Sequence, residues 1–250
     1  MASPTEFQEF RSETIKTALA NSTLDGQFTD TAYVLYSRRF KDGKVGAPKR
    51  VYASSLALVA GGTHILAQLF CGSSTDQTFP RETNLYEYES DSDLDEDEEL
   101  EQSGRDEHAH EGPHSENEEA ESEETAEEKS TGNRSITTSS SEFADPRCRH
   151  NIVVPNVAAN TWRALVYYIY TGKISFAPLR SKGISSRKNF IRNYHKIRTG
   201  LPTPVSPKSV YRLAHMYELE DLKKLAERDI KAKISAQNVV AEAFSWFSSE

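Results

Sequence analysis

Few side chains in this sequence have the types and the spacing that chemistry requires. Cys148 and His150 lie two residues apart, as a thiol or metal-ligand pair would, but they adjoin a polar low-complexity stretch. The sequence contains no glycine-rich phosphate loop, no nucleophile elbow and no zinc-protease helix. Three histidines stand in an acidic stretch and could bind a metal only weakly: His108, His110 and His114. We therefore expect no catalytic residue, no metal and no cofactor, and we predict that the protein is not an enzyme.

Serines in the acidic stretch show one further chemical pattern. Each has an acidic residue three positions later, which is the arrangement that acid-directed protein kinases select, and phosphate would add negative charge there. The candidate phosphorylation sites are Ser90, Ser92, Ser103 and Ser115.

The charges of the chain are divided into blocks. Residues 87–128 hold 21 of the 38 Asp and Glu residues but only one basic side chain, Arg105. The rest of the chain therefore carries about +12, although the whole chain carries -8. Three interpretations of the acidic block stay open: a solvated disordered loop, a phosphorylated segment, or a loose, salt-sensitive contact with the basic residues 180–198.

The elements that would position these residues are organised around one helix. Apolar side chains follow helical spacing from Trp162 to Tyr170, and Gly172 supplies a helix stop. Residues 32–37, 50–53 and 151–154 predict strands, and 173–176 predicts another short one. Further helices are predicted over 6–20, 54–60 and 63–70, after Ser206-Pro207 and after Glu220-Asp221. The predicted core residues are Trp162, Leu165, Val166, Ile169, Leu213, Leu222 and Leu225.

Two stretches break this pattern. Residues 73–147 are rich in Ser, Glu and Asp, and we predict an acidic disordered insertion because so few apolar side chains cannot offset the entropy of ordering. Residues 180–204 carry seven Lys or Arg and no acid, and we predict that they form a second disordered insertion, which is basic. Its aromatic residues among basic ones suit RNA or phosphate binding, or a nuclear import signal, but no nucleic-acid fold accompanies them, so nucleic acid is not the expected partner.

Composition also bears on location. No run of 18 apolar residues exists, so no membrane span is expected, and the first residues lack the pattern of a signal peptide. With only Cys71 and Cys148, a disulfide framework is not expected. We predict an intracellular protein of the cytoplasm, the nucleus or both.

The order and wording of the elements resemble a BTB/POZ domain. The resemblance lies in Phe28-Thr29-Asp30, in Val51 to Phe70, in Trp162 to Ile174 and in Val210 to Ile234, and the wording is closest to fungal BTB proteins and to the BTB part of speckle-type POZ adaptors. It implies an α+β fold with a small sheet flanked by helical hairpins. The implied organisation is an N-terminal helical segment (1–27), one domain in two halves (28–72 and 148–234), the two insertions, and the start of a helical extension (235–250).

The resemblance also implies a function in protein–protein interaction. It implies a homodimer interface at Phe7, Phe10, Ser54, Leu56 and Val59. It further implies a substrate adaptor for a cullin-RING ubiquitin ligase, with cullin-facing residues at His64, Gln68, Phe70, Tyr211 and Tyr217. Such an adaptor would recruit a substrate protein through its insertions. The alternative is a nuclear scaffold or transcription-associated oligomerisation protein that acts through its acidic tract.

Overall fold

The computed structural model describes residues 4–61, 79–88, 91–96 and 143–243. Helix α1 spans Pro4–Asp25, longer than the predicted 6–20, and begins with proline at its first turn, where the missing N–H has no intrahelical partner to lose. It ends at Gly26, whose φ of 68° is the left-handed conformation that glycine adopts without a Cβ clash.

A three-stranded sheet joins the two halves of the chain. Strand β1 (Thr31–Leu35) pairs antiparallel with β4 (Lys49–Ala53) on one side and parallel with β7 (His150–Val153) on the other. Tyr33 is in register with Val51 and with Ile152. Because β7 follows the long acidic stretch, the central strand is completed only when both halves are present.

Short strands form a second sheet beside the first. It contains β2 (Arg38–Arg39), β3 (Val45–Gly46), β5 (Glu82–Thr83) and β6 (Asp95–Glu96), in the order β5-β3-β2-β6. Two of these strands, β5 and β6, come from the stretch that composition predicts to be disordered.

Six α-helices follow β4 within the residues that the structure describes. They are α2 (Ser55–Leu58, continued by a 3-10 turn over Val59–Gly61), α3 (Ala159–Thr171), α4 (Ile184–Ile197), α5 (Pro207–Met216), α6 (Glu220–Lys233) and α7 (Val239–Ala243). Sequence signals mark several ends as predicted: Gly172 closes α3 at φ 70°, and the Ser206 side chain caps α5 by accepting the Ser209 N–H at 3.4 Å. The protein is therefore an α+β protein.

The main core lies between the first sheet and helices α3, α5 and α6. Trp162 is 1% exposed and contacts Tyr33 and Tyr217, with ring centroids 4.9 and 5.8 Å away. The structure buries Leu165, Val166, Ile169, Leu213 and Leu222 as predicted, while Leu225 is partly buried against the same cluster.

A second core covers the opposite face of β1. Tyr33 and Leu35 point into the main core, whereas Val34 and Tyr36 point the other way, as alternation along a strand requires. The second cluster is completed by Val45, Phe79, Tyr86, Tyr88, Leu94 and Ala158. The Phe79 ring stacks on Tyr36 with centroids 4.4 Å apart. Four of these residues come from the acidic stretch, which therefore supplies half of a hydrophobic cluster.

Three predictions about order are wrong for the described residues. Within 73–147, residues 79–88, 91–96 and 143–147 belong to the fold because their apolar side chains cover β1; residues 97–142 lie outside the described ranges. Residues 184–197 form helix α4 rather than a disordered basic insertion, because Arg187 has a buried partner. Residues 173–176 form no strand, and only Phe176 makes a bridge, to Val205.

The end of the acidic stretch is fastened to the first sheet. Arg50 Nε donates to the Phe143 carbonyl oxygen at 2.9 Å, and the Asp145 carboxylate accepts from the Tyr52 hydroxyl at 2.8 Å and from the Arg147 guanidinium. The Arg147 hydrogen bonds, and then the one from Tyr52, hold the pKa of Asp145 far below its ordinary range. In the described part of the chain, none of the helices combines the length and the apolarity that a membrane crossing needs.

Candidate functional site

A buried pair of aspartates fixes the acidic stretch to three helices. Asp93 accepts the backbone N–H of Ser206 at 2.7 and 3.0 Å, the Thr161 hydroxyl at 2.7 Å and Arg187 Nη2 at 2.6 Å. Its partners belong to the N-cap of α5, to α3 and to α4. An anionic oxygen at the N-terminus of a helix is favourable because the unsatisfied N–H groups point toward it.

Asp91 holds the other side of the same turn. Its carboxylate accepts the Tyr86 hydroxyl at 2.6 Å, the Ser209 hydroxyl at 3.0 Å and the Asp93 N–H at 3.0 Å. Asp91 and Asp93 are 4% and 5% exposed. We define the carboxylate clasp as these two aspartates together with their side-chain and backbone partners Tyr86, Thr161, Arg187, Ser206 and Ser209.

Arg187 is the cation of the clasp and the only buried residue of α4. Besides Asp93, its guanidinium donates to the Pro178 carbonyl oxygen at 2.9 Å. Two further polar contacts hold this helix: the Tyr194 and Ser175 hydroxyls lie 3.0 Å apart, and His195 Nε2 lies 3.1 Å from Thr203 Oγ1. Hydrogen bonds and one buried ion pair thus attach the basic helix to the fold.

The open question about the acidic block has a partial answer in this ion pair. One acidic residue, Asp93, does contact the basic stretch, but the contact is buried and geometrically fixed. It therefore differs from the loose, salt-sensitive attraction expected from the charge blocks, because buried pairs are screened less by salt than exposed ones.

The electrostatics of the clasp are dominated by an excess of negative charge. Burial and the neighbouring Asp91 raise the pKa of Asp93 to about 6, against the lowering effect of Arg187 and of the hydrogen bonds from Thr161 and Ser206. At neutral pH Asp93 is therefore ionised, and the donors around it fit a carboxylate. Burial and the adjacent Asp91 also raise the pKa of Tyr86 far above its ordinary value.

The predicted dimer residues belong to helices α1 and α2, which contact each other. Ser54 is buried as the N-cap of α2, and its N–H donates to the Tyr170 hydroxyl at 2.7 Å. Leu56 and Val59 are half-buried, and Phe10 is 50% exposed. Phe7 lies in α1, but its side chain is outside the described part. The structure thus places α1 against α2, and it assigns Ser54 a structural role as a buried helix cap.

Helix α1 leaves most of its apolar side chains on the surface. Among its described side chains only Arg11 and Ala18 are buried, and the Arg11 guanidinium lies 5.4 Å from the centre of the Tyr168 ring. Leu24, which shares the helix face of Phe10, is 85% exposed. Phe10, Leu19 and Leu24 are thus exposed singly, among mostly polar side chains of this 22-residue helix.

The residues predicted to face a cullin are only partly placed. His64, Gln68 and Phe70 lie outside the described residues. Tyr217 is partly buried and packs against Trp162 of the main core, and burial raises its pKa to about 12. Tyr211 lines a groove of about 570 Å³ between α5, α6 and α7, whose apolar lining includes Ile230, Ile234 and Val239.

The candidate thiol, metal-binding and phosphorylation residues lie partly within the described ranges, where they belong to strands and turns of the fold. Burial raises the pKa of the Cys148 thiol, and the His150 N–H donates to the Asp30 carbonyl oxygen at 3.0 Å at the start of β7. Ser92 is half-buried in the clasp turn, whereas Ser90, Ser103, Ser115 and the three clustered histidines lie outside the described ranges. Within the described ranges, His, Cys, Asp and Glu side chains nowhere form a group of three suited to a metal ion.

Sequence reasoning missed Asp91, Asp93 and Arg187 as a unit. The composition around them is dominated by charge, and their partners are far away along the chain: Asp93 and Arg187 are 94 residues apart. A signal did exist. Phe79, Tyr86, Tyr88 and Leu94 are apolar residues in an otherwise polar stretch, and the run Ala32 to Tyr36 lacks the alternation of a strand with one solvated face.

Three comparisons with known proteins found no similar protein. No family model matches the chain, and searches of the curated proteins and of the solved structures each return no match.

Proposed function

We propose that this protein is a protein–protein interaction module of the BTB/POZ type, which forms a homodimer and acts as a substrate adaptor for a cullin-RING ubiquitin ligase. The observation that carries the first part is the exposure of large apolar side chains on α1, a helix that packs against α2: Phe10 is 50%, Leu19 is 51% and Leu24 is 85% exposed. A second copy of the same surface would remove these side chains from water.

Light scattering tests the dimer. The wild-type protein is expected to have twice the mass of the chain, and Phe10→Ser combined with Leu24→Ser is expected to halve it at micromolar concentration. Leu85→Ser is the matched control, because Leu85 is 84% exposed but lies far from α1 in the sequence. A wild-type protein that is monomeric at all concentrations would exclude the dimer.

The adaptor function rests on the resemblance and on the groove between α5, α6 and α7. The groove between α5, α6 and α7 has an apolar lining with Tyr211 and Ile230, and charged residues such as Lys208 and Glu227 also line it. This combination of an apolar centre and a charged rim suits a protein partner.

A pull-down with a cullin N-terminal domain tests the adaptor. The wild-type protein should retain the cullin, and Tyr211→Ala combined with Ile230→Ala should weaken retention while light scattering still shows a dimer. A dimer that never retains a cullin would instead support the nuclear scaffold, which acts through its acidic tract. Loss of dimer and loss of cullin binding are thus separate outcomes.

A further inference from the structure

Ser92 lies at the tip of the turn that forms the carboxylate clasp. Its neighbours Asp91 and Asp93 both turn inward, and the Asp93 N–H donates to Asp91 Oδ1 at 3.0 Å, so that the turn is closed beneath the serine. Ser92 is half-buried, and its hydroxyl makes no hydrogen bond to any residue in the described part of the chain. The side chain is therefore at the surface of the clasp without contributing to it.

The residues after Ser92 form a kinase recognition pattern that the fold holds in place. Asp93, Asp95 and Glu96 stand one, three and four positions later. In the folded protein the Asp93 carboxylate is buried, and β6 pairs in parallel with Arg38–Arg39 of β2. A kinase that recognises these residues in an extended segment can bind them only when the clasp is open.

The clasp has little capacity for more negative charge. Two carboxylates share one buried guanidinium, and the other donors that face them are neutral: the hydroxyls of Tyr86, Thr161 and Ser209 and the backbone N–H of Ser206. Arg212 lies nearby, but its guanidinium stacks 5.1 Å from the centre of the Tyr88 ring and reaches Glu87 at 3.5 Å. A phosphate on Ser92 would bring about -1.5 to -2 charges next to both aspartates.

We propose that Ser92 is a phosphorylation site whose modification opens the carboxylate clasp and releases residues 86–88 and 91–96 from helices α3, α4 and α5. The Ser92 hydroxyl oxygen attacks the γ-phosphorus of ATP and gives its proton to the base of the kinase. The bond from the γ-phosphorus to the bridging oxygen breaks, and ADP leaves with that electron pair. The product has a phosphoserine between two aspartates.

Opening has consequences on both sides of the clasp. Asp93 leaves the N–H of Ser206 and the hydroxyl of Thr161, and Arg187 loses the carboxylate that holds it. Because Arg187 is the only buried side chain of α4, the basic helix is loosened together with the acidic segment. The proposal is independent of dimer formation and of cullin binding.

Hydrogen exchange tests the proposal on the full chain. The protein is incubated with ATP and an acid-directed kinase, Ser92 occupancy is measured by mass spectrometry, and amide exchange is compared over 86–96 and 184–197. Phosphorylation of Ser92 is expected to speed exchange in both segments about tenfold or more, as repulsion among closely spaced, partly buried charges implies. Exchange in α6 is expected not to change.

Two variants separate the clasp from general effects of charge. Ser92→Ala, treated with the same kinase, keeps phosphates at the other serines and should exchange like the untreated protein. Ser185→Glu adds a negative charge to the exposed side of α4 and should leave 86–96 unchanged. Arg187→Gln, which weakens the clasp directly, should speed phosphorylation of Ser92 several-fold. The proposal is overturned if Ser92 stays unmodified in both wild type and Arg187→Gln, or if phosphorylated Ser92 leaves exchange of 86–96 unchanged.

Discussion

Asp93 is an acidic residue whose carboxylate is buried in the folded protein. A buried carboxylate is costly unless donors replace its hydration, and here a guanidinium, a hydroxyl and a helix N-terminal N–H do so. The group still sits close to a second carboxylate. Its protonation therefore responds to pH in a range where an exposed aspartate stays ionised.

The raised pKa of Asp93 determines whether the protein becomes more or less stable as pH changes. The pKa of Asp93 rises from its ordinary 3.8 to about 6, first because of burial and second because of Asp91. The folded protein then binds the proton more tightly than the unfolded chain does. The contribution of Asp93 is therefore largest at pH below about 4 and is lost as pH rises through about 6.

We expect the wild-type protein to gain stability relative to Asp93→Asn, by about 1–3 kcal/mol, when pH is lowered from 7 to about 4.5. Urea unfolding of both proteins at a series of pH values measures this difference, in which the other titrating groups cancel. Asp30 does not interfere, because burial raises its pKa but the Ser55 hydrogen bonds outweigh this and lower it, so that its contribution is lost only at lower pH. A difference that is constant with pH would show that Asp93 does not titrate in this range.

At the scale of elements, β1 determines the arrangement. All five of its residues are buried, so it needs a hydrophobic layer on each face. Helix α3 and its neighbours supply one layer, and residues 79–96 supply the other through Phe79, Tyr86, Tyr88 and Leu94. A segment with this role must fold and unfold with the domain.

Phe79→Ala is expected to lower the free energy of unfolding by about 3–5 kcal/mol, because it removes a buried ring that stacks on Tyr36. Chemical denaturation measures the loss. Leu85→Ala is the matched control: it truncates an apolar residue of the same segment that is 84% exposed, and it should change stability by less than about 0.5 kcal/mol. Equal effects of the two variants would mean that residues 79–88 do not cover the sheet.

Trp162→Ala is expected to cost about 3–5 kcal/mol and to destabilise both halves of the chain in one transition. Trp162 is 1% exposed and contacts Tyr33 from the first half and Tyr217 from the second. Amide exchange in β4 and in α6 should therefore accelerate together during denaturation. Arg163→Ala, at the exposed neighbouring position, should leave both unchanged. If one half kept its own cooperative transition, the halves would be separate domains.

At the scale of the whole molecule, the charge blocks are only partly separable from the fold. Residues 87–96 include β6 and the two aspartates of the clasp, Asp91 and Asp93, whereas residues 99–128 lie outside the described part. The second segment holds 13 acidic side chains and one arginine, so its removal would change the formal net charge from -8 to +4. The exposed basic residues of α4 would then meet less opposing charge from the rest of the chain.

Deletion of 99–128 is expected to increase retention on heparin at low salt and to leave stability nearly unchanged, because the clasp is kept. Deletion of 87–128 should increase retention as well, but with a clear loss of stability, because Asp91, Asp93 and β6 are removed. Heparin chromatography over a salt gradient and chemical denaturation measure the two effects. Unchanged heparin retention after the first deletion would contradict an electrostatic role of the acidic segment toward polyanions.

The sequence by itself determined those elements whose signals are local. Helix α3 ends at Gly172, α5 begins after Ser206 as its cap, and the predicted core of α3 is buried, because caps, glycine conformation and apolar periodicity act within a few residues. The α+β fold class, which the resemblance implied, agrees with the structure. The placement of α1 beside α2 agrees with the surface expected for dimerisation, which stays a prediction.

Only the tertiary structure decided what the acidic and basic stretches do. Asp93 reaches Thr161, Arg187 and Ser206, which are 68, 94 and 113 residues away, and no local pattern encodes such a contact. Composition averages a segment, so it assigned 73–147 to disorder although four apolar side chains there cover β1. The entropy cost of ordering that segment is offset by burial of its apolar side chains against β1. Because β1 is distant along the chain, this burial arises only in the folded protein.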